Sequence, residues 1–245
     1  MTDRPDLAVV VGAGGGVGGA LIKTLAAQGR YDGVVGLGRR TPSDWPTEAS
    51  WTFIQADITE EAQIAVAAER VAAQGSPVRV IVATGLLHGQ GVSPEKTMRS
   101  MEPSALQQLF LVNAVGPAMV AKHFLPLTPR DRPSVFAALS ARVGSISDNR
   151  LGGWYGYRAS KAALNMLVAT LAIEHRRTHP QGVCVALHPG TVDTRLSAAF
   201  PARSPGAAAR LSPIESAQAL IRVIDELQPS DSGRFFAWDG RPIEW

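Results

Sequence analysis

Leu7-Ala8-Val9-Val10-Val11-Gly12-Ala13-Gly14-Gly15-Gly16-Val17-Gly18-Gly19 decides how this chain folds. Five consecutive apolar residues, rich in β-branched valine, read as a strand buried on both faces, as in a parallel sheet. The run ends in a dense glycine turn. A helical pattern follows at Ala20, Leu21, Leu25 and Ala26. Strand, glycine turn and helix N-terminus in that order make a phosphate-binding site. Glycines let the main chain approach a pyrophosphate, and the helix end offers N–H groups and positive dipole. The candidate contacts are Gly12, Gly14, Gly15, Gly16, Val17 and Gly18. The glycines fit several spacing templates at once, so the strand before and the helix after carry the reading.

Outward from that turn, strand and helix signals alternate. Strands are predicted at 7–11, 33–37, 51–55, 78–83, 134–139, 182–187 and 233–237. Helices are predicted at 17–28, 60–74, about 104–123, 154–177 and 213–227. The alternation predicts an α/β chain with a single doubly wound parallel sheet of Rossmann type, about seven strands, helices on both faces. No linker or repeat divides residues 1–245, so one domain is expected. The stretch 196–211 is Ala-rich and broken by Pro201 and Pro205, which suggests a lid over a substrate or an ordinary surface loop.

Tyr157 and Lys161 stand four apart at the head of the predicted helix 154–177, on one face of it. A free phenol, with a pKa of about 10, is a poor acid or base at neutral pH. A neighbouring ammonium favours phenolate and is expected to lower that pKa, making the phenol usable for proton transfer. The bland alternative is a Tyr packed beside a solvated Lys.

Taken together, these residues resemble the short-chain dehydrogenase/reductase family over nearly the whole chain. The match runs through Gly12, Gly16 and Gly18; Asp57 in Ala56-Asp57-Ile58-Thr59; Asn113 in Val112-Asn113-Ala114; Tyr157 and Lys161; and Pro189-Gly190-Thr191-Val192-Asp193-Thr194. More narrowly, Gly144-Ser145-Ile146, Gly152-Gly153, the 157–165 run and Ser232-Gly233-Arg234-Phe235-Phe236 look like the C-factor/sniffer-type carbonyl-reductase branch. The resemblance implies hydride transfer between a nicotinamide and a carbonyl or alcohol. Tyr157 would move the proton. Lys161 would bind the nicotinamide ribose, and Asn113 would hold a water in a relay to Lys161. Asp57 and Ile58 would lie at the adenine, and Pro189, Gly190, Val192 and Thr194 at the nicotinamide, with Thr194 on its carboxamide. Asn113 could instead satisfy a helix kink beside Gly116-Pro117.

Two departures stand out. The family's substrate-contacting Ser lies three residues before the Gly matched by Gly144, where this chain has Ala141. Ser140 is adjacent but should point to the opposite face of a strand. Ser145 follows in the loop. Ser140, Ser145 or neither replaces the hydroxyl. At the end of the fourth strand Val82-Ala83-Thr84-Gly85 stands where the family has Asn-Asn-Ala-Gly.

Charge speaks to the cofactor. A carboxylate ending the second strand selects NAD, and an Arg accommodates a 2′-phosphate. Here that strand ends in Arg39-Arg40, and no carboxylate occurs before Asp44. NADP is the expected cofactor, with NAD possible. An alternative function is a cofactor-binding regulatory or signalling protein with weak turnover, motivated by Ala141 and the C-factor likeness.

Composition sets the remaining expectations. Of 245 residues, 45% are hydrophobic, enough for a large core, and the net charge of +3 is spread thinly. A small-molecule carbonyl or alcohol substrate is expected, with no nucleic acid, no membrane and no metal. His88, after the fourth strand, is within reach of a substrate site. The single Cys184 excludes an internal disulfide, and the cytoplasm is the expected compartment. The aromatic tail 232–245 needs burial. It predicts a homodimer or homotetramer with the tail at a subunit interface or a neighbour's pocket; the alternative is a tail folded back on its own domain.

Overall fold

The computed structural model describes residues 4–46, 48, 50–89, 91–198 and 210–245. Seven parallel strands form one sheet: β1 Asp6–Val11, β2 Gly33–Gly38, β3 Trp51–Gln55, β4 Ser76–Val82, β5 Ser134–Leu139, β6 Gly182–His188 and β7 Phe235–Ala237. Their order is β3-β2-β1-β4-β5-β6-β7. The order reverses between β1 and β4, which leaves a crevice at the carboxyl ends of those two strands, where such sheets bind ligands.

Every predicted strand is present, displaced by at most two residues at an end. The helices are α1 Gly16–Ala27, α2 Glu61–Gln74, α3 Pro103–Phe110, α4 Gly116–Phe124, α5 Tyr155–His175, the short α6 Arg195–Ala198, and α7 Pro213–Glu226.

Alternation along each strand builds two cores. Leu7, Val9 and Val11 of β1 face Ile64 and Val71 of α2, Val120 and Phe124 of α4, and Leu164 and Val168 of α5. Ala8 and Val10 face Leu21 and Leu25 of α1 and Leu220 and Ile224 of α7. Fully buried Phe124, Phe136 and Phe235 each contribute roughly 1.5–3 kcal/mol by transfer from water. The α7 N-terminus is closed by a reciprocal capping box between Ser212 and Glu215.

The single helix predicted near 104–123 is α3 and α4 joined through one π-helical turn, Leu111–Val115. Pro117 has no N–H for the carbonyl of Asn113 four residues earlier, and the Gly116 N–H bonds back to Leu111, five residues away. This rod, with the turn after it, spans Pro103–Leu127. It is 25 residues long, with an 18-residue window of mean hydropathy 1.3. That reaches the length and apolarity of a membrane span by composition alone; half of the window is buried inside the protein, as in a core helix.

The tail takes the alternative arrangement, folded back on its own domain. After β7 the chain turns and runs back antiparallel, with Phe236 bridged to Pro242. Ile243 N–H donates to the Phe235 carbonyl at 2.8 Å. The Trp245 ring stacks on Phe235 at 5.7 Å, and Trp245 O accepts from Ser147 N–H at 2.9 Å. Phe235 and Phe236 are buried within their own chain by this hairpin, while Trp245 remains 41% exposed.

Candidate active site

Because the strands are parallel, every segment singled out in the sequence leaves the sheet at the same edge. After β1, Gly12 takes φ +91°, and a Cβ on Gly18 would lie 2.1 Å from the Gly12 carbonyl oxygen. Only glycines allow α1 to start this close to the strand end. No side chain caps α1 and no acidic residue lies in its first turn. The N-terminal N–H groups are therefore left to a ligand, and the cradle fits a dinucleotide diphosphate.

Thr194 closes that cradle: a Cβ on Gly16 would fall 2.7 Å from the Thr194 Cγ2. Thr194 is placed by Pro189, whose carbonyl accepts the Ser216 hydroxyl at 2.7 Å, and by Gly190 at φ +82°. Buried Val192 bridges to Leu211. Asp193 N–H donates to the Leu211 carbonyl at 2.9 Å, so the predicted lid is tied at its base. Residues 199–209 of the lid lie outside the described residues. At its start, Leu196 packs toward Tyr157, and the His88 ring nitrogen is 3.1 Å from the Arg195 carbonyl oxygen.

Arg39 and Arg40 are exposed at the end of β2, and the Arg40 carbonyl lies 3.7 Å from where a Gly14 Cβ would be. The Asp57 carboxylate, past the end of β3, accepts from the Thr59 N–H and hydroxyl at 3.0 and 2.8 Å. Ile58 is buried against Gly116 of the rod, so its side chain does not open toward the crevice.

Tyr157 and Lys161 are buried on the inner face of α5. The Lys161 ammonium donates to the Leu139 carbonyl at the end of β5, 2.8 Å away. Tyr157 packs with Leu86, Leu87, Val92 and Leu109, and Ala141, Val143, Trp154 and Leu196 pack against that cluster. Burial pushes the phenol up to about 12 and the ammonium down to about 7. Burial is the cause of both shifts, so the phenol ionises above its ordinary value, where the spacing alone led to the expectation that Lys161 would lower it.

Asn113 lies fully buried in the π-helical turn. Its amide accepts from Leu86 N–H and donates to the Leu86 carbonyl, both at 2.8 Å. It also donates to the Ser160 hydroxyl at 3.0 Å. All three bonds are protein contacts, and through them the side chain clamps the segment after β4. A Cβ on Gly85 would lie 3.8 Å from both Asn113 Oδ1 and Lys161 Nζ; the three elements meet at that glycine.

The two candidate hydroxyls face elsewhere. Ser140 donates to Asn165 Oδ1 at 2.6 Å. Ser145 Oγ accepts from Asp148 N–H at 3.1 Å. Ala141 packs against the apolar cluster that contains Tyr157. Ala83 packs against the α1/α7 core, while the Thr84 hydroxyl beside it is buried without a partner.

The model of the short chain dehydrogenase family matches residues 6–204. The chain belongs to that family. It is an oxidoreductase of the short-chain dehydrogenase/reductase type. The C-signal protein of Myxococcus xanthus is 38% identical over 141 residues, 57% of this chain and 78% of that one. Carbonyl reductase Sniffer of D. melanogaster superposes with a TM-score of 0.85 at 21% identity, covering 98% of this chain and 99% of that one. A protein described as a short-chain dehydrogenase/reductase from Burkholderia multivorans, with bound NADP, superposes with a TM-score of 0.78 at 27% identity, covering 99% and 100%.

Leu86, Leu87, Val92, Leu109 and Glu95, which surround the head of α5, carry no local sequence signal. They come from segments about fifty to seventy positions from Tyr157 and resemble ordinary core residues.

Titration of the protein without added cofactor tests the burial of Tyr157. Tyrosinate absorbance after rapid alkaline mixing should lose, in Tyr157→Phe, one phenol that ionises well above the ordinary value of about 10. Loss of a phenol ionising below that value would show that Lys161 outweighs burial.

Proposed function

We propose that this protein is an NADP(H)-dependent carbonyl reductase. The observation that carries the reading is the buried pair Tyr157 and Lys161 at the edge where the glycine cradle and Thr194 meet. The cofactor supplies the hydride; the chain supplies position and a proton. A phenol whose pKa is raised to about 12 holds its proton at neutral pH, as the donor in a reduction must, but gives it up reluctantly, so a cation beside it is needed when the phenolate forms. Lys161, lowered to about 7, is cationic as pH falls through that value and then stabilises the phenolate left after proton transfer. Leu86, Leu87, Val92 and Leu109 around the phenol, with Ala141 in place of a hydroxyl, suit a carbonyl with apolar or aromatic substituents. Ser140 and Ser145 then hold structure. The C-signal likeness supports a second reading, a regulatory protein with weak turnover.

Reduction of p-nitrobenzaldehyde with NADPH separates these readings. Turnover is expected, and Tyr157→Phe should reduce it by about 10²–10⁴-fold with NADPH binding nearly unchanged. Full activity in Tyr157→Phe would show the phenol to be structural; no turnover in the parent favours the regulatory reading.

Arg39 and Arg40 support the choice of NADP. Each is exposed beside the cradle, where a 2′-phosphate would receive a charge-assisted bond. Replacing both by Ala should weaken NADPH binding by about 1.5–3 kcal/mol and leave NADH binding nearly unchanged. Equal dissociation constants for the two cofactors in the parent would refute this.

Assembly as a homodimer or homotetramer is part of the proposal. Leu111 and Val115 on the rod and Met166 and Ile173 on α5 are exposed apolar residues, Met166 by 68%. Light scattering should give a closed oligomer; a strict monomer at micromolar concentration would refute it.

A further inference from the structure

We propose that Glu95 is a positioning residue for Tyr157: its carboxylate and its carbonyl together hold the first turn of α5, on which the phenol stands. The inference rests on Tyr157 being the proton donor.

Glu95 lies in the segment between β4 and α3 and is 3% exposed. A carboxylate is costly to bury, and it stays buried only where donors meet it. Here the donor is the Gly156 N–H, 3.2 and 3.3 Å from the two carboxylate oxygens. Gly156 is the residue before Tyr157, inside the first turn of α5. That turn has no side-chain cap of its own, since its N-cap residue Trp154 carries no acceptor. The carboxylate arriving from 61 positions away does the capping, and its charge complements the positive end of the helix dipole.

The main chain of Glu95 makes a second contact. Its carbonyl accepts from Trp154 N–H at 2.6 Å. Trp154 has φ +53°, and among the described residues it is the one non-glycine with positive φ. A bulky residue keeps that conformation only where its surroundings impose it, and such residues gather at functional sites. The Trp154 ring in turn meets the Tyr157 ring edge-on at 6.2 Å. So Glu95 grips the two residues that set where α5 begins, and one of them packs directly on the phenol.

Gly156 is the counterpart of this contact. A Cβ there would sit 2.9 Å from Glu95 Oε1, 2.6 Å from Leu109 Cδ1 and 2.8 Å from Leu106 Cδ2. The glycine lets the carboxylate and α3 close on the helix. Loss of the grip frees the first turn, and the phenol with it, while the glycine cradle and Arg39 on the other side of the crevice are untouched. The signature is therefore a fall in kcat at constant KM and constant NADPH affinity.

The test uses the full chain, p-nitrobenzaldehyde and NADPH. Glu95→Ala should lower kcat by roughly tenfold to a hundredfold, as small misplacements of a reacting group do, with KM and the NADPH dissociation constant within about twofold. Glu95→Gln keeps an acceptor and should recover part of the loss. A kcat for Glu95→Ala within about twofold of the parent overturns the proposal, as does a KM or NADPH change that accounts for the whole loss. Should Glu95→Ala fail to fold, Glu95→Asp decides: it keeps the charge but draws it back by one methylene, and a parental kcat there overturns the proposal. Tyr157→Phe in the same assay keeps the two claims apart. Full activity in Tyr157→Phe, or no turnover by the parent, overturns the underlying reading; an inactive Tyr157→Phe beside unaffected Glu95 variants overturns the role of Glu95 alone.

Discussion

A parallel sheet covered by helices on both faces leaves only its strand ends to meet anything else. That constraint governs this molecule. Six of the seven strands are buried on both faces, as the runs Leu7–Val11 and Val183–Leu187 show, and the edge strand β3 is half-buried. Each crossover must therefore carry the chain back before the next strand starts. Every polar or glycine-rich segment that follows a strand then lands on one edge. The β1–α1 turn, Arg39 and Arg40, Asp57, Gly85 and Thr194 are neighbours for this reason, although they are spread over most of the chain.

Burial sets the chemistry on that edge. Lys161 is taken out of water and left with the carbonyl of Leu139, and Tyr157 is enclosed by leucines and a valine. In both cases desolvation disfavours the charged form, so the phenol holds its proton and the ammonium gives its proton up more easily. A pair read as two complementary charges is, in the folded protein, closer to two neutral groups.

Buried polar groups hold the edge in register. Asn113 closes two hydrogen bonds on the main chain of Leu86, and the π-helical turn around it follows from Pro117, which cannot donate to the carbonyl of residue 113. Ser140, beside Ala141, is turned to Asn165 on α5. Glu95 reaches the head of the same helix. Asn113 through Ser160, Ser140 through Asn165 and Glu95 through Gly156 thus each bond to α5, the element that carries both titratable groups. All three are side chain to main chain or side chain to side chain bonds over long sequence separations, the kind that rigidifies a buried site.

The sequence by itself determined the strands, the helices other than α6 and the π-helical break between α3 and α4, the glycine turn and the Tyr157/Lys161 pair. Those features are local: two-residue and near-four-residue periodicities, glycines where the main chain must come close, and two side chains one helical turn apart. The absence of a hydroxyl at Ala141 was legible too, by counting from Gly144. Only the tertiary structure decided that Ser140 and Ser145 face away, that Asn113 clamps Leu86, that Ile58 is covered by Gly116 and that the aromatic tail folds onto its own edge strand. Each of these depends on which groups long-range packing brings within hydrogen-bond or van der Waals reach. The direction of the Tyr157 shift was decided there as well, since desolvation is a property of the surrounding cluster and not of the Tyr-x-x-x-Lys spacing.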